Sequence, residues 1–223
     1  MHPFRRLYLR LVVPPNPFRF DPRLDERVRQ LCSSVSSDQW ALNLGSGSTE
    51  YGARIINLDV RPSRGVGVIA DGHQLPFRDG SLSGALLRGV LEHVRSADAV
   101  RRELHRVLAP GAFVYVEVPF LQPLHLSPED HRRFTLPGLQ GFLADFEHID
   151  SGVQIGPGST LAWVLRESLA CLLSFGSQRA YSRLLAVVGW LTFWLKYLDP
   201  LIVSAPHVAN SASAFFYLGR HRG

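Results

Sequence analysis

From Trp40 onward, short apolar runs alternate with clusters of Gly, Asp and Pro. The runs are WALNLG (40–45), RIINLD (54–59), GVIAD (67–71), LSGALLRGV (82–90) and GAFVYVEVP (111–119). Unbroken apolarity over so few residues marks strands buried on both faces, as in a parallel sheet. Between the fourth and fifth runs, Val100, Leu104, Val107 and Leu108 recur at helical spacing and Pro110-Gly111 is a stop signal, predicting a helix over Ser96–Leu108. A second helix is predicted over 137–146, with Leu139, Phe142, Leu143 and Phe146 on one face, then a strand over 148–155. A helical stretch follows over 160–199, and ASAFFYLGR (212–220) closes the pattern as a last strand. Ahead of the first strand, a helix opens near Pro22 and carries Leu24, Val28 and Leu31, preceded by a Pro- and Arg-rich extended arm over 1–22. The expected organisation is an arm and helix over 1–38 and one α/β domain over 39–223.

The 160–199 stretch departs from this economy. Trp163, Leu165, Leu169, Leu172, Leu173, Phe175, Trp190, Phe193, Trp194 and Tyr197 make it more apolar and aromatic than a solvent-facing elaboration requires. Its longest apolar run, Leu184–Leu195, is twelve residues, short of the roughly 20 that a bilayer core demands. The expectation is therefore not a membrane span. Three uses suit the excess: a lid over an apolar acceptor, a homodimer face, or a peripheral membrane contact edged by Arg183 and Lys196.

Composition narrows the class. With 223 residues, 46% hydrophobic and 19% charged, the chain has core material for a globular domain, which excludes disordered, collagen-like and disulfide-scaffold readings. Cys32 and Cys171 stand apart without metal-ligand spacing, so no metal site is expected. The net charge of +5 comes almost wholly from arginine, Lys196 being the single lysine. These arginines are scattered and not interleaved with stacking aromatics, so no nucleic-acid partner is expected. Only Arg5, Arg6 and Arg10 form a basic cluster, and Pro14, Pro15 and Pro17 interrupt any secretory core after it, predicting a cytoplasmic protein.

The chemistry gathers at strand ends. The first strand runs into Gly45-Ser46-Gly47, the second ends in Asp59 and the third in Asp71. A GxG alone is equally a tight turn, and each acid alone equally a cap. In an open parallel sheet, however, three successive strand ends converge where ligands bind. A carboxylate accepts from ribose hydroxyls, here Asp59 with Val60 beside it, and a second accepts from an adenine amino group, here Asp71 with Gly72 and His73. A dinucleotide loop would place its third glycine at Glu50, and a phosphate-binding loop would need a lysine after its last glycine. Both are disfavoured, leaving a cationic, phosphate-free adenosine cofactor.

These segments, ALNLGSGS, IINLD, IADGHQLPFRDGSLSGALLRGVLEHV and RELHRVLAPGAFVYVEVP, resemble the class I S-adenosylmethionine-dependent methyltransferases, in particular the small-molecule group called type 11. The resemblance covers about 40–155 and the final strand. It implies a Rossmann-like seven-stranded sheet, mostly parallel with the last strand antiparallel, helices on both faces and a helical insertion between strands six and seven. It implies S-adenosyl-L-methionine as cofactor, with Gly45, Ser46 and Gly47 against its methionine part, Asp59 on the ribose, Asp71 and Gly72 on the adenine, and Arg88-Gly89-Val90 beneath the sulfonium. Asn43 replaces the acid that often opens the glycine motif, Thr49 stands where a third glycine is common, and residues 48–53 leave room for only a very short first crossover helix. A Rossmann oxidoreductase and a non-catalytic partner-binding module are the competing classes.

Methyl transfer from a sulfonium is an in-line displacement that needs orientation above all, with a general base when the acceptor holds a proton. LQPLHLSPEDHRRFT (121–135), after the fifth strand, offers His125 and His131 as bases and Arg132 and Arg133 for an anionic group; the competing reading is a capped, packed loop. His93, in LEHV, is expected to be structural. The acceptor expected is small, hydrophobic or lipid-linked.

Overall fold

The computed structural model describes residues 13–126 and 128–223; the arm's Arg5, Arg6 and Arg10 lie outside the described residues. The chain divides into two compact units. A sheet unit takes 21–120, 125–154 and 215–223, and a helical unit takes 121–124 and 155–214 with residues up to Phe20.

In the sheet unit, Asp21 caps helix α1 (Pro22–Ser33) by accepting from the Arg23 N–H, with proline in the first turn. Strands β1 (Ala41–Leu44), β2 (Ile55–Asp59), β3 (Val68–Ile69), β4 (Leu82–Arg88) and β5 (Leu108–Pro119) follow the predicted runs. Completed by β6 (Glu147–Ile155) and β7 (Ala214–Arg220), the sheet has the order β3-β2-β1-β4-β5-β7-β6. The β1–β2, β2–β3, β1–β4 and β4–β5 pairs are parallel. The β5–β7 pair is antiparallel, the Gly111 and His221 N–H groups donating to the His221 and Ala112 carbonyls. Strand order reverses between β1 and β4, which places the ligand crevice of such a sheet at their carboxyl ends.

Both faces are covered. Leu24, Val28 and Cys32 of α1 pack with Ala41, Ile55, Leu86, Phe113, Tyr115, Phe216 and Leu218. On the alternate positions Leu42, Ala85, Leu87, Val114 and Val116 are wholly buried. Gly84 is required in this core, because a Cβ there would stand 2.2 Å from the Phe113 ring.

Helix α2 (Ala97–Val107) is capped by the Ser96 side chain, which accepts from the Ala99 N–H, and buries Val100, Leu104 and Val107 as predicted. It ends before Pro110-Gly111, which lie instead inside β5. Gly111 takes a φ of +78° there, near a register shift opposite Leu82 and Gly84. The stop signal is therefore an irregularity in a strand. Helix α3 (Leu136–Phe142) is capped by Thr135.

The short first crossover helix does not form, and residues 45–54 are turns and coil. Buried Asn43, in the place of the expected acid, braces this loop by donating to the Thr49 carbonyl at 3.1 Å and to Asn57 Oδ1 at 3.0 Å, while Asn57 donates to the Gly65 carbonyl. A paired amide side chain does here what a helix does elsewhere.

The helical unit lies between β6 and β7 in sequence, as expected, and is longer than 160–199. It comprises α4 (Pro157–Leu173), α5 (Gln178–Thr192), a 3-10 turn (Phe193–Leu198), α6 (Asp199–Ile202) and a second 3-10 turn (Val208–Ser211). The segments from Gln178 to Ile202 run on as one helical span of 25 residues, long and apolar enough to cross a membrane by length and composition. The twelve-residue estimate is thereby corrected, because the helix continues through the polar residues on either side of the apolar run. Its inward side is held by polar contacts. The Asp199 carboxylate accepts from the Gly158 N–H (2.7 Å) and the Ser159 hydroxyl (2.5 Å), Lys196 Nζ donates to the Asn16 carbonyl (2.6 Å), and Thr192 donates to the Ala162 carbonyl.

Candidate functional site

At the carboxyl ends of β1, β2 and β4, on either side of the switch point, lies a cavity of about 570 Å³. The segments leaving β1, β2 and β3 contribute Gly45, Asp59, Val60, Asp71, Gly72 and His73 to its lining, and those leaving β4 and β5 contribute Gly89, Val90, His93, Arg95, His125 and Glu129. Its size falls within the range of small-molecule sites.

The glycine loop is built around two necessities. Gly45 has a φ of +65°, and a Cβ on it would lie 2.5 Å from Val90 Cγ2. Gly47 also takes a positive φ, and its N–H donates to Asp59 Oδ2 at 2.9 Å, while Asp59 Oδ1 accepts from the Arg61 N–H at 3.0 Å. Each Asp59 oxygen therefore keeps a lone pair for a further donor. Asp71 Oδ1 accepts from the backbone N–H of His73 and lies 2.5 Å from its Nδ1. His73 Nε2 accepts from the Ser96 N–H, so Nδ1 carries the proton. The His73 backbone N–H, with the ring, holds the Asp71 carboxyl below its ordinary range, which keeps it an acceptor at neutral pH.

The geometry fits an adenosine. Two carboxylates with acceptor capacity line one cavity, and Val60, largely exposed and next to Asp59 in sequence, lines it too. Residues 42–116 match the family described as Methyltransferase domain. Over these residues the chain carries a methyltransferase domain of the S-adenosylmethionine-dependent kind. Its fold is shared with a candidate sarcosine dimethylglycine methyltransferase from Galdieria sulphuraria, at 14% identity over 97% of each chain with a TM-score of 0.57. Phosphoethanolamine N-methyltransferase 2 of Haemonchus contortus, solved with phosphomonomethylethanolamine and S-adenosylhomocysteine, is similar at 16% identity over 90% of this chain and 53% of that one, with a TM-score of 0.53. The [4+2]-cyclase SpnF is similar at 18% identity over 90% and 82%, with a TM-score of 0.51. No curated protein matches the chain.

Of the residues the sequence analysis singled out, Gly45, Asp59, Val60, Asp71, Gly72, His73 and Gly89 line this cavity. Ser46 and Gly47 do not line it, and the buried Ser46 hydroxyl has no partner among the described residues. Arg88 is turned away. Its guanidinium donates to Glu117 (2.8 Å), Tyr51 (2.6 Å) and Asp25 (2.7 Å) on the face covered by α1, so it braces the sheet and only its neighbours Gly89 and Val90 reach the cavity. His131 also lies outside the lining, its ring 3.0 Å from Glu129 Oε2 and its N–H on the Glu92 carbonyl. His125 lines the cavity, its N–H held by the buried Asp130 carboxylate, which pairs with Arg133. Hydrogen bonding from Arg133 keeps Asp130 below its ordinary range.

Sequence reasoning missed His93 as a cavity residue. Its ring centroid is 5.6 Å from that of His125, its Nδ1 is hydrogen-bonded to the Glu129 carbonyl, and its Nε2 lies 3.8 Å from Glu92 Oε1. Glu92 is buried, and burial pushes its carboxyl up to about 7. The available signal was position, since Glu92 and His93 lie three and four residues beyond Gly89 in the segment that leaves the carboxyl end of β4, the side of such a sheet where ligands bind.

Proposed function

We propose that this methyltransferase moves a methyl group to a small, hydrophobic or lipid-linked acceptor, in the cytoplasm and at a membrane surface. The observation that carries the reading is one cavity joining an adenosine-suited end (Asp59, Val60, Asp71) to a histidine-bearing end (His93, His125).

When bound, S-adenosylmethionine supplies a methyl carbon activated by a positively charged sulfur. The protein's part is to bind and orient. Asp59 accepts from the ribose hydroxyls with the lone pairs that Gly47 and Arg61 leave open, and Asp71 Oδ2 accepts from the adenine amino group. Val60 offers the base an apolar surface. Gly45 and Gly89, both at positive φ, keep the cavity wall to bare backbone. His125 is the group assigned to receive the acceptor's proton, since neither of its ring nitrogens is hydrogen-bonded to another described residue. His93 is fixed through Nδ1 and positions the acceptor end. The lipid-linked character of the acceptor is read from the exposed apolar surface of the helical unit, which a second copy of the chain is the alternative partner to cover.

Calorimetric titration with S-adenosylmethionine and S-adenosylhomocysteine tests the reading, with binding of both expected and binding of neither sinking it. His125→Ala is expected to lower turnover while leaving S-adenosylhomocysteine affinity unchanged; equal turnover removes His125 from the role.

A further inference from the structure

In a helix on the surface of a water-soluble domain, the apolar stripe faces inward and the charged residues face out. The span Gln178–Ile202 is reversed. Its inward positions are Val188, Gly189, Thr192, Lys196 and Asp199, all buried. Its outward positions, spaced three or four apart, are Arg179, Arg183, Val187, Trp190, Trp194, Tyr197 and Leu201, with Leu191 and Leu198 beside them, and all but Arg179 and Arg183 are large and apolar. Leu191 is 67% exposed and Leu201 79%.

Three further observations say what covers this stripe. First, it is graded from cation to aromatic. Arg179 and Arg183 are exposed, with no acidic partner among the described residues, and the described residues of the helical unit carry five basic side chains (Arg19, Arg166, Arg179, Arg183, Lys196) against two acidic ones (Glu167, Asp199). Second, two tryptophans and a tyrosine dominate the apolar part, the residues that settle at bilayer interfaces where one end of a ring is greasy and the other wet. Third, Phe175 in the α4–α5 turn is 92% exposed and holds a φ of +48°, a conformation that bulky residues avoid and that the neighbouring Gly176 adopts freely. An aromatic side chain kept at a turn tip at that cost points outward for a purpose.

The same helix is long enough to cross a bilayer, and its inward contacts argue against that orientation. Crossing would carry Lys196 and Asp199, now hydrogen-bonded to Asn16, Gly158 and Ser159, into hydrocarbon. Lying flat leaves every one of those contacts intact.

We infer that the outward stripe of Gln178–Ile202, with Phe175, docks in the plane of an anionic lipid bilayer. This deepens the proposed reading of a lipid-linked acceptor and rests on it. The partner's chemistry follows from the stripe: an acyl-chain boundary for Trp190, Leu191, Trp194 and Leu201, and anionic headgroups for Arg179 and Arg183.

The test is flotation of the full chain with vesicles of phosphatidylcholine mixed with anionic phosphatidylglycerol, beside vesicles of phosphatidylcholine alone. Binding to the anionic vesicles is expected, weakened by salt and accompanied by a blue shift of tryptophan emission. Leu191→Asp with Trp194→Asp is expected to abolish it. Arg179→Gln with Arg183→Gln is expected to weaken it by about fivefold per arginine. Circular dichroism and S-adenosylhomocysteine titration on each variant confirm that the fold persists. Three outcomes overturn the inference: no flotation with anionic vesicles, retention in the membrane through alkaline carbonate washing as a spanning helix shows, or a concentration-dependent dimer abolished by the same aspartates. In each, retained S-adenosylhomocysteine binding leaves the methyltransferase reading standing, so the two fail separately.

Discussion

The sheet unit and the helical unit use the same kinds of side chain in opposite directions. In the sheet unit, Leu42, Leu58, Leu86 and Leu87 are fully buried and the charged groups Asp59 and Asp71 stand at strand ends beside a cavity. In the helical unit, Leu191 and Leu201 face out while Lys196 and Asp199 are buried. One unit is organised around its own core and a small ligand. The other keeps charge inside through specific hydrogen bonds and leaves its apolar surface for something else. Hydrophobicity alone therefore does not say where a residue lies in this protein; its polar neighbours do.

The comparison breaks most easily at the sheet. Leu42→Ala is expected to destabilise the fold by about 2–5 kcal/mol through a cavity that packed strands cannot close, read by urea unfolding. A loss below 1 kcal/mol would mean the core is looser than it looks.

Asp199→Ala is expected to cost about 3 kcal/mol, since it strands the Gly158 and Ser159 donors, and to make the helical unit sensitive to limited proteolysis while S-adenosylhomocysteine still binds. Unchanged proteolysis would remove the argument that polar contacts hold Gln178–Ile202 in place.

Glu92 sharpens the contrast through pH. Burial raises its carboxyl to about 7 from an ordinary 4.5, so the folded state binds the proton more tightly than the unfolded state. Its stabilising contribution is complete below pH 4.5 and is lost as pH rises through 7, by an amount on the order of 3 kcal/mol. Glu92→Gln is expected to flatten that part of the stability–pH curve, and a curve with the same slope in both proteins refutes the assignment.

Asp59→Ala is expected to weaken S-adenosylhomocysteine binding by about 10- to 100-fold, the cost of hydrogen bonds to a charged acceptor. Equal affinity in the folded variant would displace the ribose from this end of the cavity. The smallest effect is expected at Leu191→Ala, within about 0.5 kcal/mol in urea because the side chain contributes little to the interior, with its consequence appearing only at vesicles.

Much of this was legible before any coordinates. Five apolar runs gave five strands, because a parallel strand buried on both faces leaves a continuous signal. The shared cavity of Gly45, Asp59 and Asp71 was legible because strand order in such a sheet forces their convergence. What escaped was whatever depends on direction. Arg88 is the last residue of β4 and adjoins Gly89, yet alternation sends its side chain to the α1 face, toward Glu117 and Asp25. His93 and His131 differ by chain direction within irregular segments, which no periodicity reports. Pro110-Gly111 read as a helix stop because the same pair serves a strand irregularity equally well.

The loop that replaces the first crossover helix has an electrostatic consequence. A helix opening after β1 would aim its amino end, with the half-unit of positive charge of an aligned peptide dipole, at whatever binds there. Dinucleotides exploit that field to hold a pyrophosphate. Residues 45–54 contain no helix, and Glu50 rests against Gly65 at the side of the loop. The cavity thus lacks the anion trap of its dinucleotide-binding cousins, and a ligand bearing a positive charge meets no opposing macrodipole on entering.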